Sequence, residues 1–308
     1  MISSQKEKQF SAPMDHGQMM SVIDDMASSH RCLSVRFLGE TIMGRGIPLL
    51  SLGEGDKTVL YVGAHGGTEW ITTQILLRFA WEYCRAYERK GKIFGYDMEY
   101  FFSTRTLLIV PMLNPDGVEY ALHGVEPDQV IYERLIKMNG GSEDFGCWQA
   151  NGRGVDLNHN YQSGFLEYKK IEGEQGILGG APQGYSGEHP ESEPETGHLC
   201  NLIRYDSRIK SVLSLHSRGE GIYYMAGGQT ARRSYAIAKA LSKMSGYELR
   251  QSEGLMVQGG LRDFCIETMD IPAFSVACGR GLKTPPDDEL FYVYSRLREM
   301  LFLMPTLI

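Results

Sequence analysis

At 308 residues, 42% hydrophobic and 22% charged, the chain has ample apolar material for a core and no excess of disorder-promoting residues. A formal charge of -7 offers no basic footprint for nucleic acid. No run approaches the roughly eighteen apolar residues of a membrane-spanning helix, so both partner classes are excluded.

Residues 1–20 are polar and lack the apolar stretch of a signal peptide, which makes a cytoplasmic location the expectation. Residues 1–34 read as a polar lead-in and 35–308 as one domain, since no repeat or charge-dense stretch divides them. Residues 58–63 form a β-rich run, followed over 70–86 by helical spacing at Ile71, Ile75, Leu76 and Phe79. A second apolar run, 106–112, stops at Asn114-Pro115-Asp116-Gly117, whose residue types predict a turn. Ser192-Glu193-Pro194-Glu195 predicts a helix start with a Ser-x-x-Glu capping box and proline in the first turn. Residues 211–215 then supply a buried strand ending at His216, 231–244 a helix, 273–278 a strand and 288–303 a closing helix. Alternating elements of this kind imply an α/β domain, a mixed and largely parallel central sheet with helices on both faces. In such sheets ligands bind beyond the carboxyl ends of the strands, where His65, Glu69, Asn114, Asp116, His216 and Ala277 all fall. The six cysteines are scattered without a Cys-x-x-Cys pair, which suits reduced buried thiols.

Hydrolysis of a peptide at a metal needs three protein ligands, an open position for water, a carboxylate base and a cation for the oxyanion. His65-Gly66-Gly67-Thr68-Glu69 and Ser214-Leu215-His216-Ser217 each offer donors, though either alone reads as a hydrogen-bonded loop. Residues 148–161 are rich in turn-forming Asn and Gly and on their own also read as a polar loop.

Taken with 111–117, Tyr185-Ser186-Gly187, the helix start at 192–196 and Gly259-Gly260-Leu261-Arg262-Asp263, that segment resembles the zinc carboxypeptidases in order and spacing, from about residue 35 to the end. Within that family, residues 156–161 and 139–145 resemble the bacterial γ-D-glutamyl-L-diamino acid peptidases. The resemblance implies a zinc ion, with Glu69 and His216 as two of its ligands and Asp156 as the carboxylate that orients the first ligand imidazole. It implies Arg153 as the cation that stabilises the oxyanion, and Asn158 and His159 as the pair that holds a substrate carboxylate. His159 stands where ordinary carboxypeptidases carry arginine and lacks the bidentate fork that grips a terminal carboxylate. Leu255 falls near the family's mobile tyrosine, and Arg262 at its specificity position, where a cation suggests an acidic group in a cell-wall peptide.

Two positions depart from the pattern. The family's first motif is His-x-x-Glu, but His65 precedes Glu69 by four residues, so Gly66 falls at the ligand position. His65 substitutes only if the loop shifts by about one residue, roughly 3.3 Å of extended chain. Ala277 stands where the family carries its glutamate base, and general base catalysis contributes about 10²–10⁴-fold. Glu267 and Asp270 are nearby in sequence but read as surface groups ahead of the strand. The readings are therefore a zinc peptidase with an impaired site, or a catalytically inactive protein that keeps the peptide pocket. A purely structural α/β protein ranks last, because it makes Arg153, Asp156 and Asn158 coincidental.

Overall fold

The computed structural model describes residue 10 and residues 13–251, 259–279 and 289–308. Its eight-stranded sheet comprises β1 (Leu33–Glu40), β2 (Gly46–Leu52), β3 (Lys57–Val62), β4 (Arg105–Val110), β5 (Ile209–Ser217), β6 (Gly221–Tyr223), β7 (Glu248–Arg250) and β8 (Ala273–Cys278). The strand order is β1-β2-β4-β3-β5-β8-β6-β7. The four central strands β4, β3, β5 and β8 are mutually parallel, while β1–β2, β2–β4 and β8–β6 pair antiparallel. Its helices include α1 (His16–Ser29), α2 (Trp70–Glu88), α3 (Pro115–His123), α4 (Pro194–Tyr205), α5 (Ser234–Ser245) and α6 (Glu289–Leu303).

Period-two side chains divide the core between the two sheet faces. Val59, Tyr61, Leu213, Leu215, Phe274 and Val276 enter one cluster, packed against α1, α2, α5 and α6. Leu60, Val62, Val212 and Ala273 enter the other, packed against α4 and the segment 261–266. Helix α2 is fastened to α6 by the edge-on rings of Phe79 and Phe302, 4.9 Å apart. The lead-in is polar only in part: α1 starts at a reciprocal Asp15–Gln18 capping box and buries Met19, Val22, Ile23 and Met26 in the first cluster.

Two local expectations are corrected. Asn114-Pro115-Asp116-Gly117 does not merely turn the chain, because Asn114 caps α3 through its side chain and Pro115 takes the first helical position. The Ser192–Glu195 capping box does not form. Glu193 is the N-cap of α4, and the Ser192 hydroxyl instead donates to Glu193 Oε1 and accepts from Asn160 Nδ2 at 2.9 Å each. No helix among the described residues is long and apolar enough to cross a membrane.

Candidate active site

Alternation along β5 and β8 decides what faces the site. Because Leu213, Leu215, Phe274 and Val276 enter one core cluster, Ser214, His216, Ser275 and Ala277 point to the opposite face. Ala277 pairs directly with His216 across the parallel ladder. Beyond these strands lies a cavity of about 290 Å³ bordered by His65, Asp156, Asn158, His159, His216, Arg262 and Ala277, among others. Glu69 adjoins it, with Oε1 3.3 Å from His216 Nδ1. Arg153 does not border this cavity. Its exposed guanidinium lies 3.9 Å from Glu193, while its backbone N–H donates to Asn151 Oδ1 at 3.0 Å.

The loop after β3 is held from several sides. Ala64 adopts a left-handed backbone (φ 47), a conformation costly for a residue with a side chain, and its N–H donates to Thr72 Oγ1 at 2.8 Å. Asn114 Nδ2 donates to the carbonyls of His65 and Gln149 at 2.9 and 3.1 Å. A Cβ on Gly67 would lie 2.4 Å from the Gly117 carbonyl oxygen and 2.5 Å from that of Trp148, so two backbones exclude any side chain there. At Gly66 the obstacle is a side chain instead: a Cβ would lie 2.0 Å from Gln149 Oε1. The Gln149 amide thus fills the space into which a residue at 66 would project, and it donates to Thr68 Oγ1 at 2.5 Å.

His65 is buried, with Nε2 3.0 Å from the Tyr161 hydroxyl and Nδ1 lacking a hydrogen-bond partner. Burial, and secondarily the nearby His216, push its pKa well below the usual imidazole value, so it is neutral. The His65 and His216 rings stand 5.3 Å apart, and His216 Nε2 lies 2.9 Å from Ser214 Oγ. Glu69 accepts the Gly66 N–H at 2.9 Å and the Ser217 N–H at 3.3 Å.

Zinc can be tested against this donor set. Among the described residues, no three His, Cys, Asp or Glu side chains are arranged to hold a metal ion. Glu69 and His216 face protein partners, His65 gives Nε2 to Tyr161 and keeps only Nδ1 open, and position 66 has no donor atom to add. The arrangement does not fit a three-ligand zinc centre. Asp156 is likewise turned to other work. Its Oδ1 accepts from the Asn158 N–H and side-chain amide at 3.1 and 3.2 Å, and its Oδ2 from the Gly184 N–H at 3.0 Å. Those contacts tie two loops together and engage no imidazole.

On the opposite wall, His159 stacks on Tyr168, with centroids 3.7 Å apart and planes inclined by 6°. Arg262 is buried and donates to Asp263 Oδ1 at 2.9 Å, so its charge is answered within the chain. Burial raises the Asp263 pKa, and Arg262 opposes the shift. Asn160 locks this wall to α4. Its Nδ2 donates to the Ser186 carbonyl at 2.7 Å, and its Oδ1 accepts from Thr196 Oγ1 at 2.6 Å. Gln149, Tyr161, Tyr168 and Asp263 have positions in the site that their residue types did not announce. Leu255 lies outside the described residues, while Glu267 and Asp270 are exposed.

Residues 19–277 match the zinc carboxypeptidase family. The chain is 30% identical over 280 residues to gamma-D-glutamyl-L-diamino acid endopeptidase 1 of Lysinibacillus sphaericus, covering 91% of this chain and 69% of that one. Bovine thrombin-activatable fibrinolysis inhibitor, solved with tick carboxypeptidase inhibitor, superposes with a TM-score of 0.74 at 16% identity, over 96% of this chain and 97% of its own. Murein-tripeptide amidase MpaA from Escherichia coli O157 gives a TM-score of 0.51 at 17% identity, over 89% and 91% of the two chains. With a match that takes in both strands of the pocket and the segment between them, the chain belongs to the zinc carboxypeptidase family, whose members are zinc-dependent peptide hydrolases.

Proposed function

We propose that this chain is a peptide-binding member of the zinc carboxypeptidase family that takes an acidic γ-D-glutamyl-diamino acid peptide of the cell-wall type and hydrolyses it poorly or not at all. The observation that carries the reading is the methyl group of Ala277 on the cavity wall, paired with His216 where a general base is needed. A methyl group transfers no proton, and losing a general base lowers rates by about 10²–10⁴-fold. The Gln149 amide in the space beside Gly66 supports the same reading, because it replaces a donor with packing. The peptide class is supported by the name of the Lysinibacillus relative.

In this reading the cavity works by recognition alone. Asn158 and His159 present an amide and an imidazole to a ligand carboxylate, and stacking on Tyr168 fixes the imidazole plane. Arg262, shared with Asp263, supplies a weaker cationic contact. Arg153 reaches an acidic ligand only by swinging away from Glu193. One observation favours a second reading, a hydrolase with His65 as substitute ligand: His65 Nδ1 is buried without a partner. Calorimetry with a γ-D-glutamyl-diaminopimelate peptide, beside zinc analysis of the purified protein, separates the two. Binding that weakens at least about tenfold in Asn158→Ala/His159→Ala, with substoichiometric zinc, supports the proposal. Near-stoichiometric zinc with turnover supports the second reading, and no binding at all overturns the retained pocket.

A further inference from the structure

We propose that Cys32 and Cys84 form a redox modification site, a dithiol that a peroxide converts to a disulfide fastening the corner between α1 and β1 to the C-terminal half of α2. Cys32 lies just before β1 and is partly exposed, whereas Cys84 is fully buried on α2 in the first core cluster, against which Cys32 packs. The Cys84 thiol donates a hydrogen bond to the Cys32 sulfur, so two residues far apart in the chain bring their sulfurs into contact.

A neighbouring contact holds the same corner to the same helix. His30, itself buried, places Nδ1 2.8 Å from Glu88 Oε2. Glu88 stands one turn beyond Cys84 on one face of α2, and the Leu33 N–H donates to the His30 carbonyl at 3.2 Å, which folds the chain at Cys32. The pairs 30 with 88 and 32 with 84 therefore run in opposite directions along the two segments and fix their register. Glu69, at the other end of α2, is about 22 Å of helix rise from Cys84, so a bond here fastens the lead-in and leaves the peptide pocket as it is.

The two thiols differ in the way a redox pair requires. The hydrogen bond from Cys84 lowers the Cys32 pKa, against burial and the charge of Glu88, while the same bond and burial raise that of Cys84. Cys32, which solvent reaches, is the attacking group, and Cys84 is the resolving one. Cys200, Cys265 and Cys278 are covered by the core, and burial raises their pKa. With hydrogen peroxide as oxidant, the Cys32 thiolate attacks one oxygen, the O–O bond breaks, and the released hydroxide takes up the proton that Cys32 gave, leaving a sulfenic acid and water. The Cys84 sulfur then attacks the Cys32 sulfur, the S–O bond breaks, and the hydroxyl departs with the Cys84 proton as a second water. The thiols lose two electrons, and these reduce the peroxide.

The test treats the full chain with hydrogen peroxide, blocks the remaining thiols, maps linked peptides by mass spectrometry and follows thermal unfolding. The parent is expected to give a Cys32–Cys84 linkage that dithiothreitol reverses, and an unfolding midpoint raised by about 5 °C. Cys32→Ser, a change at a partly exposed position, is expected to abolish both. Cys84→Ala is expected to leave Cys32 as a sulfenic acid that dimedone labels, whereas the parent takes no label. Should Cys84→Ala fail to fold, the parent and Cys32→Ser decide the matter alone. Oxidation that links Cys147 between chains but never joins Cys32 to Cys84 would overturn the site, and a linkage with an unchanged midpoint would overturn its role in fastening the corner.

Discussion

Replacing Gly66 with histidine returns an imidazole to the position from which the family motif expects one, and the structure sets the cost. A Cβ at 66 lies 2.0 Å from Gln149 Oε1, about 1 Å short of the 3.0 Å that real contacts keep, and 3.3 Å from the Glu69 carboxyl carbon. Gln149 must therefore retreat and give up its hydrogen bond to Thr68 Oγ1. A lost hydrogen bond of this kind costs about 0.5–1.5 kcal/mol, and overpacking a well-filled site about 1–3 kcal/mol. Gly66 has no left-handed backbone to strain, so the expected loss for Gly66→His is about 1.5–4.5 kcal/mol in urea unfolding, the larger part of it steric. Gly66→His/Gln149→Ala removes the obstacle and should recover most of that loss. The double variant should also bind zinc more tightly than the parent by calorimetry, since it adds a third donor beside Glu69 and His216. A single variant as stable as the parent, or a double variant no more stable than the single one, would refute the reasoning.

Other expectations follow from neighbouring groups. Burial raises the Glu195 carboxyl from 4.5 to about 8, so the folded chain holds a proton that the unfolded chain releases between those values. Stability from this group is full below about pH 4.5 and is lost as pH rises through about 8. Glu195→Gln, which mimics the protonated form, should flatten that decline in unfolding curves at pH 6 and 8.5, and parallel curves for parent and variant would contradict it. Tyr161→Phe leaves the second nitrogen of buried His65 without its 3.0 Å partner and should cost about 1–3 kcal/mol in urea unfolding. A loss below a few tenths would show that the hydroxyl does not hold His65. Ala277→Glu places a carboxylate in the cavity without a metal donor at 66, so chromatography should detect no peptide product from this single variant. Product formation would mean that the missing base alone silenced the site.

The strands and long helices were legible because their side-chain periods are set by burial. Val59 and Tyr61 against Leu60 and Val62 mark two covered faces before any contact is known. Helix starts were less legible, since they depend on competition for side chains. Ser192 would cap α4 but is claimed by Asn160, 32 residues away, and Asn114-Pro115-Asp116-Gly117 carries signals for both a turn and a helix start. The departure at Gly66 was visible in the spacing to Glu69, but the Gln149 amide that fills its place was not, because no local pattern says where a loop glutamine points. Arg262 read as a cation for an acidic ligand group, and its ion pair with the next residue in the chain, Asp263, was not foreseen. Tyr168 stacks on His159 where the 184–186 loop holds both ends of the intervening chain, accepting from Asn160 Nδ2 and from the Tyr168 hydroxyl, a contact no local pattern shows.

The most direct measurement offers the unmodified full chain a γ-D-glutamyl-diaminopimelate peptide in the presence of added zinc, following binding by calorimetry and products by chromatography in the same samples. Saturable binding with the peptide recovered intact is the expected result. Zinc-dependent release of the diamino acid at a rate typical of peptidases would contradict the assignment of Gly66 and Ala277 as the positions that silence this site.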